Sequence, residues 1–198
     1  MITEGALQQT SAPATEPITT AEAKTWVRQE SDDDDAFIAA LIPAARQAVE
    51  NHLRRALITQ TWTLSRVGFP SEFRLPLAPL QSVSSITYTD TGGDSQTLAS
   101  SEYTVDTSSE PGRIVEAYNK SWPSVRDVPN SVIVTFVAGY GDDAADVPDL
   151  IRTGVKMMLA NLYENREPIV VRQTGTSATE VPMNVQWVLL PYRIARFR

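Results

Sequence analysis

The chain has 198 residues, 42% of them apolar, with no cysteine, a single histidine and a net charge of −7. That length and apolar content can fill one sizeable domain, or a core with one inserted subdomain, without covalent staples. The composition excludes disulfides, thiolate zinc sites, iron–sulfur clusters and cysteine nucleophiles, and with His52 alone most other metal chemistry is removed as well.

Charge is spread unevenly: residues 1–50 carry −6, residues 51–150 carry −5 and residues 151–198 carry +4. An acidic total argues against a general nucleic-acid binder, and opposite signs at the two ends would suit head-to-tail contact between copies. No basic start followed by an apolar run opens the chain, and no stretch approaches the roughly 18 apolar residues of a membrane span. Neither secretion nor membrane insertion is therefore expected.

In chain order, residues 1–17 are rich in Thr, Ala, Gln and Pro without an apolar period, and read as a mobile arm. Thr19 followed by Glu22 is a capping-box pattern that starts a short helix, with Ala23, Trp26 and Val27 on one face and Trp26 as its anchor into the core. Asp32 to Asp35 lack the alternation and glycine of a calcium loop, so they read as the N-terminus of the next helix. That helix places Phe37, Leu41, Ala45, Ala48, Val49, His52 and Leu53 on an apolar stripe, with Pro43 as a kink or a late start. His52 reads as a satisfied core or boundary residue, because no second histidine exists to share a metal or a proton.

From Thr59 the period changes to two. The runs TQTWTLSRV, SVSSITYTD, QTLASSEYTVD, GRIVEAY and SVIVTFVAGY read as antiparallel strands, separated by proline turns and the Gly92–Gly93 hairpin. Helical spacing resumes after Asp146, read as the cap, with Pro148 in the first turn. Ile151, Val155, Met158, Leu159 and Leu162 share one face, and Gly154 leaves room for a second helix, for which the Phe37–Leu53 helix is the expected partner. After Pro168 a polar stretch ending at Glu180 reads as a mobile loop. The chain then closes on the apolar and basic segment NVQWVLLPYRIARFR. The expected fold class is α+β: a helical core with an inserted antiparallel β-rich subdomain. The expected divisions are 1–17 arm, 18–58 first part of the core, 59–145 insertion, 146–167 second part, and 168–198 loop and docking tail.

Catalytic patterns are wanting. There is no G-x-S-x-G elbow, no phosphate-cradling loop and no dinucleotide fingerprint, and Gly139-Tyr140-Gly141 reads as a turn. Asp142, Asp143 and Asp146 are the densest set of acids, and an acid pair beside aromatic strands is the basis of an alternative reading, a hydrolase of cell-wall or capsular sugar. The closing segment, with Trp187, Tyr192, Arg193, Arg196, Phe197 and Arg198, has the residue types that anchor protein interfaces.

A succession of blocks carries a resemblance over Ile18 to about Glu167. These are ITTAEAKTWVRQESDDDDAFIAALIPAARQAVENHLRRALITQTWTL, LPLAPLQSVSSITYTD, SEYTVD, SWP and VIVTFVAGYGDDAADVPDLIRTGVKMMLANLYENRE. In order and spacing they resemble the head-tail connector, or head-completion adaptor, family of long-tailed phages and prophages. The resemblance implies a non-enzymatic virion protein at the head-tail junction, assembled in the host bacterial cytoplasm, with no catalytic residue, cofactor, metal or membrane. It further implies a ring of twelve copies under the portal protein, prolonging a channel in which DNA is only cargo. A stopper or tail-completion protein would follow, and the chain could itself be such a morphogenetic part. In that setting Trp187, Tyr192 and Phe197 would anchor on the portal, with Arg193, Arg196 and Arg198 meeting portal acids. Removing Gln186 to Arg198 would then weaken attachment and leave the domain folded.

Overall fold

A computed structural model describes residues 5–165 and 181–194. The fold is α+β, as expected, and divides into two compact units: Thr15–Ile58 with Gly141–Arg193, and Thr59–Tyr140 with the first residues up to Ala14.

The first unit is helical. Its opening helix, α1 (Thr20–Val27), starts from the capping box read in the sequence: the Glu22 N–H donates to Thr19 Oγ1 at 3.2 Å, and the Thr19 N–H donates to Glu22 Oε2 at 2.9 Å. The second helix, α2 (Asp35–Leu53), runs unbroken through Pro43, so the proline marks no late start. The third, α3 (Asp149–Glu164), and a fourth, α4 (Met183–Leu189), are the remaining α-helices among the described residues. Glu22 also ties α1 to α3, accepting from Arg152 Nη2 at 2.7 Å and Lys156 Nζ at 3.1 Å. The Thr19 N–H first, then Lys156 and Arg152, hold its carboxyl down at about 2.

Several expectations shift within these helices. Trp26 is no core anchor: Ala23 is the buried residue of α1, Ile18 is buried just before the helix, and Trp26 is left 45% exposed. The buried stripe of α2 is Ile38, Ile42, Ala45, Val49 and Leu53, one residue on from Phe37 and Leu41, and it includes two charged residues, Arg46 and Glu50. Phe37 packs instead beside Tyr163, ring centroids 6.1 Å apart. Of the acidic run, Asp34 occupies the cap position without a side-chain cap bond, and Lys24 Nζ bridges Asp32 and Asp35 at 2.6 Å each. Asp146 does not cap α3; it closes a 3-10 turn, Ala144–Asp146, by accepting from the Asp143 N–H at 3.1 Å, and Pro148 precedes the helix.

Among the described residues the second unit holds eight strands in two antiparallel sheets. The larger is built from β1 (Ala6–Ser11), β2 (Gln60–Arg66), β4 (Leu80–Thr89), β5 (Ser95–Thr97) and β8 (Val132–Ala138), in the order β1-β2-β8-β4-β5. The smaller orders β3 (Phe73–Arg74), β7 (Arg113–Glu116) and β6 (Tyr103–Asp106). Central β8 alternates strictly, with Val132, Val134, Phe136 and Ala138 inward, and its Val134 lies opposite both Leu64 and Ile86. Beside the small sheet, Phe69 stacks on Trp122 at 4.9 Å and both meet Phe73 edge-on.

Two features were not read from the sequence. Residues 6–11 are a strand rather than part of a mobile arm. The strand escaped notice because all six residues are exposed and backbone pairing to β2 rather than burial orders them, leaving no apolar alternation to read. The single run QTLASSEYTVD is two strands in different sheets, β5 and β6, separated by a 3-10 turn at Ser100–Glu102. The stretch expected as a loop up to Glu180 lies outside the described residues.

Candidate functional site

The C-terminal segment that the sequence singles out is fastened to the helical unit by its inner face. Pro182 starts α4, and Gln186 Nε2 donates to the Val181 carbonyl at 2.6 Å. Val185 and Leu189, four apart, are fully buried. Leu189 fits where α3 has Gly154: a Cβ there would stand 2.5 Å from Leu189 Cδ2. The glycine was read as a close-packing position, and its close neighbour proves to be α4, although α2 packs on α3 as well.

Beyond α4 a 3-10 turn, Leu190–Tyr192, ends the described helical chain, and the buried Arg55 donates from Nε to the Tyr192 carbonyl at 2.6 Å. His52, on the last turn of α2, lies close by. Among the described residues its Nε2 is buried without a hydrogen-bond partner, so it is a boundary histidine but not a satisfied one. Burial first, and the nearby Arg193 charge second, push its pKa below the ordinary 6.5. Because the unfolded chain then binds the proton more readily, the neutral imidazole's contribution to stability is full above the unfolded value of 6.5 and is lost as pH falls from there through the lower folded value. NMR titration of this sole histidine is expected to give a midpoint under 6.5, with unfolding free energy declining from pH 7 to pH 5; a midpoint at or above 6.5 would contradict the burial.

The outer face of the segment is apolar and open. Met183, Trp187 and Leu190, spaced four and three residues apart, are 74%, 69% and 56% exposed. That spacing puts them on one side of a helix. Of the six expected docking residues, Trp187 lies at the centre of this face, Tyr192 is half-buried with its carbonyl taken by Arg55, and Arg193 is exposed beyond it. Arg196, Phe197 and Arg198 lie outside the described residues. Met183 and Leu190 were missed, although their spacing from Trp187 was legible in PMNVQWVLL. Near the start of α4, a groove is lined by Trp26, Met157, Ala160, Asn161, Glu164, Pro182 and Asn184. Removing Gln186 to Arg198 would therefore not spare the fold, since Leu189 and the Arg55 anchor would go with it.

Of the acids proposed for sugar hydrolysis, Asp143 and Asp146 are committed to the turn before α3, and Asp142 contributes its backbone carbonyl. The Asp142 carbonyl accepts from Thr15 Oγ1 at 2.7 Å, Asp143 and Asp146 close the 3-10 turn on each other, and the Asp146 carboxylate fills the space beside Gly141. Among the described residues no group of three or more His, Cys, Asp or Glu could hold a metal, and no helix is long and apolar enough to cross a membrane.

Three comparisons bear on this arrangement. No curated protein matches the chain. Among solved structures it is similar to a chain from the neck of an empty GTA particle computed with C6 symmetry (TM-score 0.78, 20% identity, covering 98% of this chain and 97% of that one). It is also similar to one from the virion of a native gene transfer agent particle (TM-score 0.74, 21% identity, 97% of each). A third is from the neck of the native particle computed with C12 symmetry (TM-score 0.69, 23% identity, 98% and 97%). At these identities the likeness establishes the fold. The family model for the phage gp6-like head-tail connector protein matches residues 17–126, more than half of the chain. The chain belongs to the phage gp6-like head-tail connector family.

Proposed function

We propose that copies of this protein form a ring, twelve in number, between the portal and the next completion protein, prolonging the DNA channel. The protein has no catalytic role in that position. The observation that carries the docking half of this reading is the open face of Met183, Trp187 and Leu190, held on a helix whose other face is buried. Three large apolar side chains grouped on a short helix are what a protein partner's groove would cover, and a tryptophan at the centre is the residue type most often found at the energetic centre of an interface. The portal is the partner assigned to this face. Arg193, exposed beside the patch, is suited to meet portal carboxylates at the rim, where charge sets orientation and on-rate more than affinity.

The testing experiment is native mass measurement of the protein alone and mixed with its cognate portal ring. A single stoichiometric layer of copies on the portal is expected. Monomers in both samples would sink the connector-on-portal assignment. The hydrolase reading has no observation in its favour, given the structural use of Asp143 and Asp146.

A further inference from the structure

The edge of the five-stranded sheet at β1 is unguarded. Its sequence, ALQQTS, has no charge and no proline, and all six residues are exposed. Among the described residues its outer side pairs with nothing. Sheets ordinarily protect such edges with lysine, proline, a bulge or short length, because unpaired N–H and C=O groups recruit another strand. Here the one irregularity is a register shift between Gln9 and Ser11, at the end of the strand. Side-chain bonds, such as Gln9 Nε2 to Gln60 Oε1 at 2.6 Å, hold β1 to the sheet but leave its outer edge free. The opposite edge of the same sheet, β5, is short, three residues from Ser95 to Thr97, but it too is uncharged and fully exposed.

Strand direction decides how two such edges can meet. Every neighbouring pair in the sheet is antiparallel, so β1 and β5, four steps apart, run the same way. Copies related by a ring axis that runs nearer to along the strands than across them keep that direction, so β1 of one copy would meet β5 of the next as a parallel pair. Through Tyr88, Val132 and Arg66 the registers set Gln96 level with the residue before Ala6, so Gln8 and Gln9 come opposite it when the strands tilt to the axis, as they do in closed barrels. Two β1 strands would instead pair antiparallel about a twofold, and that contact stops at a dimer. A ring needs two different patches per subunit, and the two open edges are such a pair.

We propose that β1 pairs with β5 of a second copy, joining the five-stranded sheets head to tail; this rests on the ring reading above. The joint consists of backbone hydrogen bonds over the three residues of β5. It buries no apolar core, so it sets the orientation of neighbouring copies.

The absence of cysteine makes a crosslinking test clean. Gln96→Cys is combined with Gln8→Cys in one variant and with Gln9→Cys in another, because successive strand residues face opposite ways and one of the two must share a face with position 96. Within one chain these positions lie at least four strand spacings apart, about 19 Å or more, so no intramolecular disulfide can form. After wild-type protein is shown by native mass to form the ring, alone or on the portal, oxidation of one double variant is expected to give a reducible ladder of dimers, trimers and higher species. Each single variant is expected to give none. A wild-type ring with no ladder from either double variant would overturn the joint and leave the ring standing. Dimers from Gln8→Cys or Gln9→Cys alone would overturn it in favour of twofold β1 pairing. No wild-type ring under either condition would overturn the ring reading, and the joint with it.

Discussion

Replacing Arg46 by alanine is expected to cost about 3–5 kcal/mol of unfolding free energy at pH 7, the range for removing one partner of a buried ion pair. Arg46 is 4% exposed and Glu50 8% exposed, one turn apart on the inward face of α2. Arg46 Nη1 donates to Glu50 Oε2 at 2.7 Å and its Nε to Glu16 Oε2 at 2.8 Å, while Glu50 Oε1 accepts the Leu57 N–H at 2.9 Å. The network thus joins the segment before α1, the middle of α2 and the chain leaving α2. Without the guanidinium, the Glu50 carboxylate stays in a low-dielectric site without its Arg46 partner. The double change Arg46→Met with Glu50→Gln removes both charges but keeps an acceptor for Leu57. It is expected to recover most of the loss, since a buried pair replaced by groups of similar volume is often near neutral. Urea unfolding of the two variants checks this. A cost under about 1 kcal/mol for the alanine variant would mean that the pair behaves like a surface one.

That network also marks how far the sequence could be read. The capping box at Thr19, the alternation of β8 and the apolar face of α3 were legible because each depends on local spacing. In α2 apolar residues occupy two adjacent stripes, Phe37–Leu41 and Ile38–Ile42, and periodicity alone cannot choose between them. The choice falls to the stripe that also places Arg46 and Glu50 inward, and hydropathy would never nominate those residues for burial. Strand β1 was hidden for the opposite reason: it buries nothing, and only its pairing partner, 50 or more residues away, gives it shape. Of the proposed docking site, the aromatic and basic composition was visible. The division of the segment into a buried face and an open one was not, because it depends on Gly154 of another helix.

Changing Trp187 and Leu190 together to glutamine is expected to weaken binding to the portal ring about 100-fold, with little change in unfolding free energy. Truncating one central apolar anchor of an interface commonly costs about 2 kcal/mol, roughly 30-fold, and the second residue adds to that less than in full. Both side chains are more than half exposed in the free protein, so little packing is lost when they are replaced. Gly154→Val supplies the contrast. Its side chain would collide with Leu189, and overpacking of this kind costs about 1–3 kcal/mol. It should therefore loosen α4 from α3 and weaken both stability and attachment. Calorimetric binding to the portal, paired with urea unfolding of each variant, separates the two roles. Portal affinity untouched by the double glutamine change would remove α4 from the interface, whereas equal losses of stability in both variants would mean that Trp187 and Leu190 belong to the core.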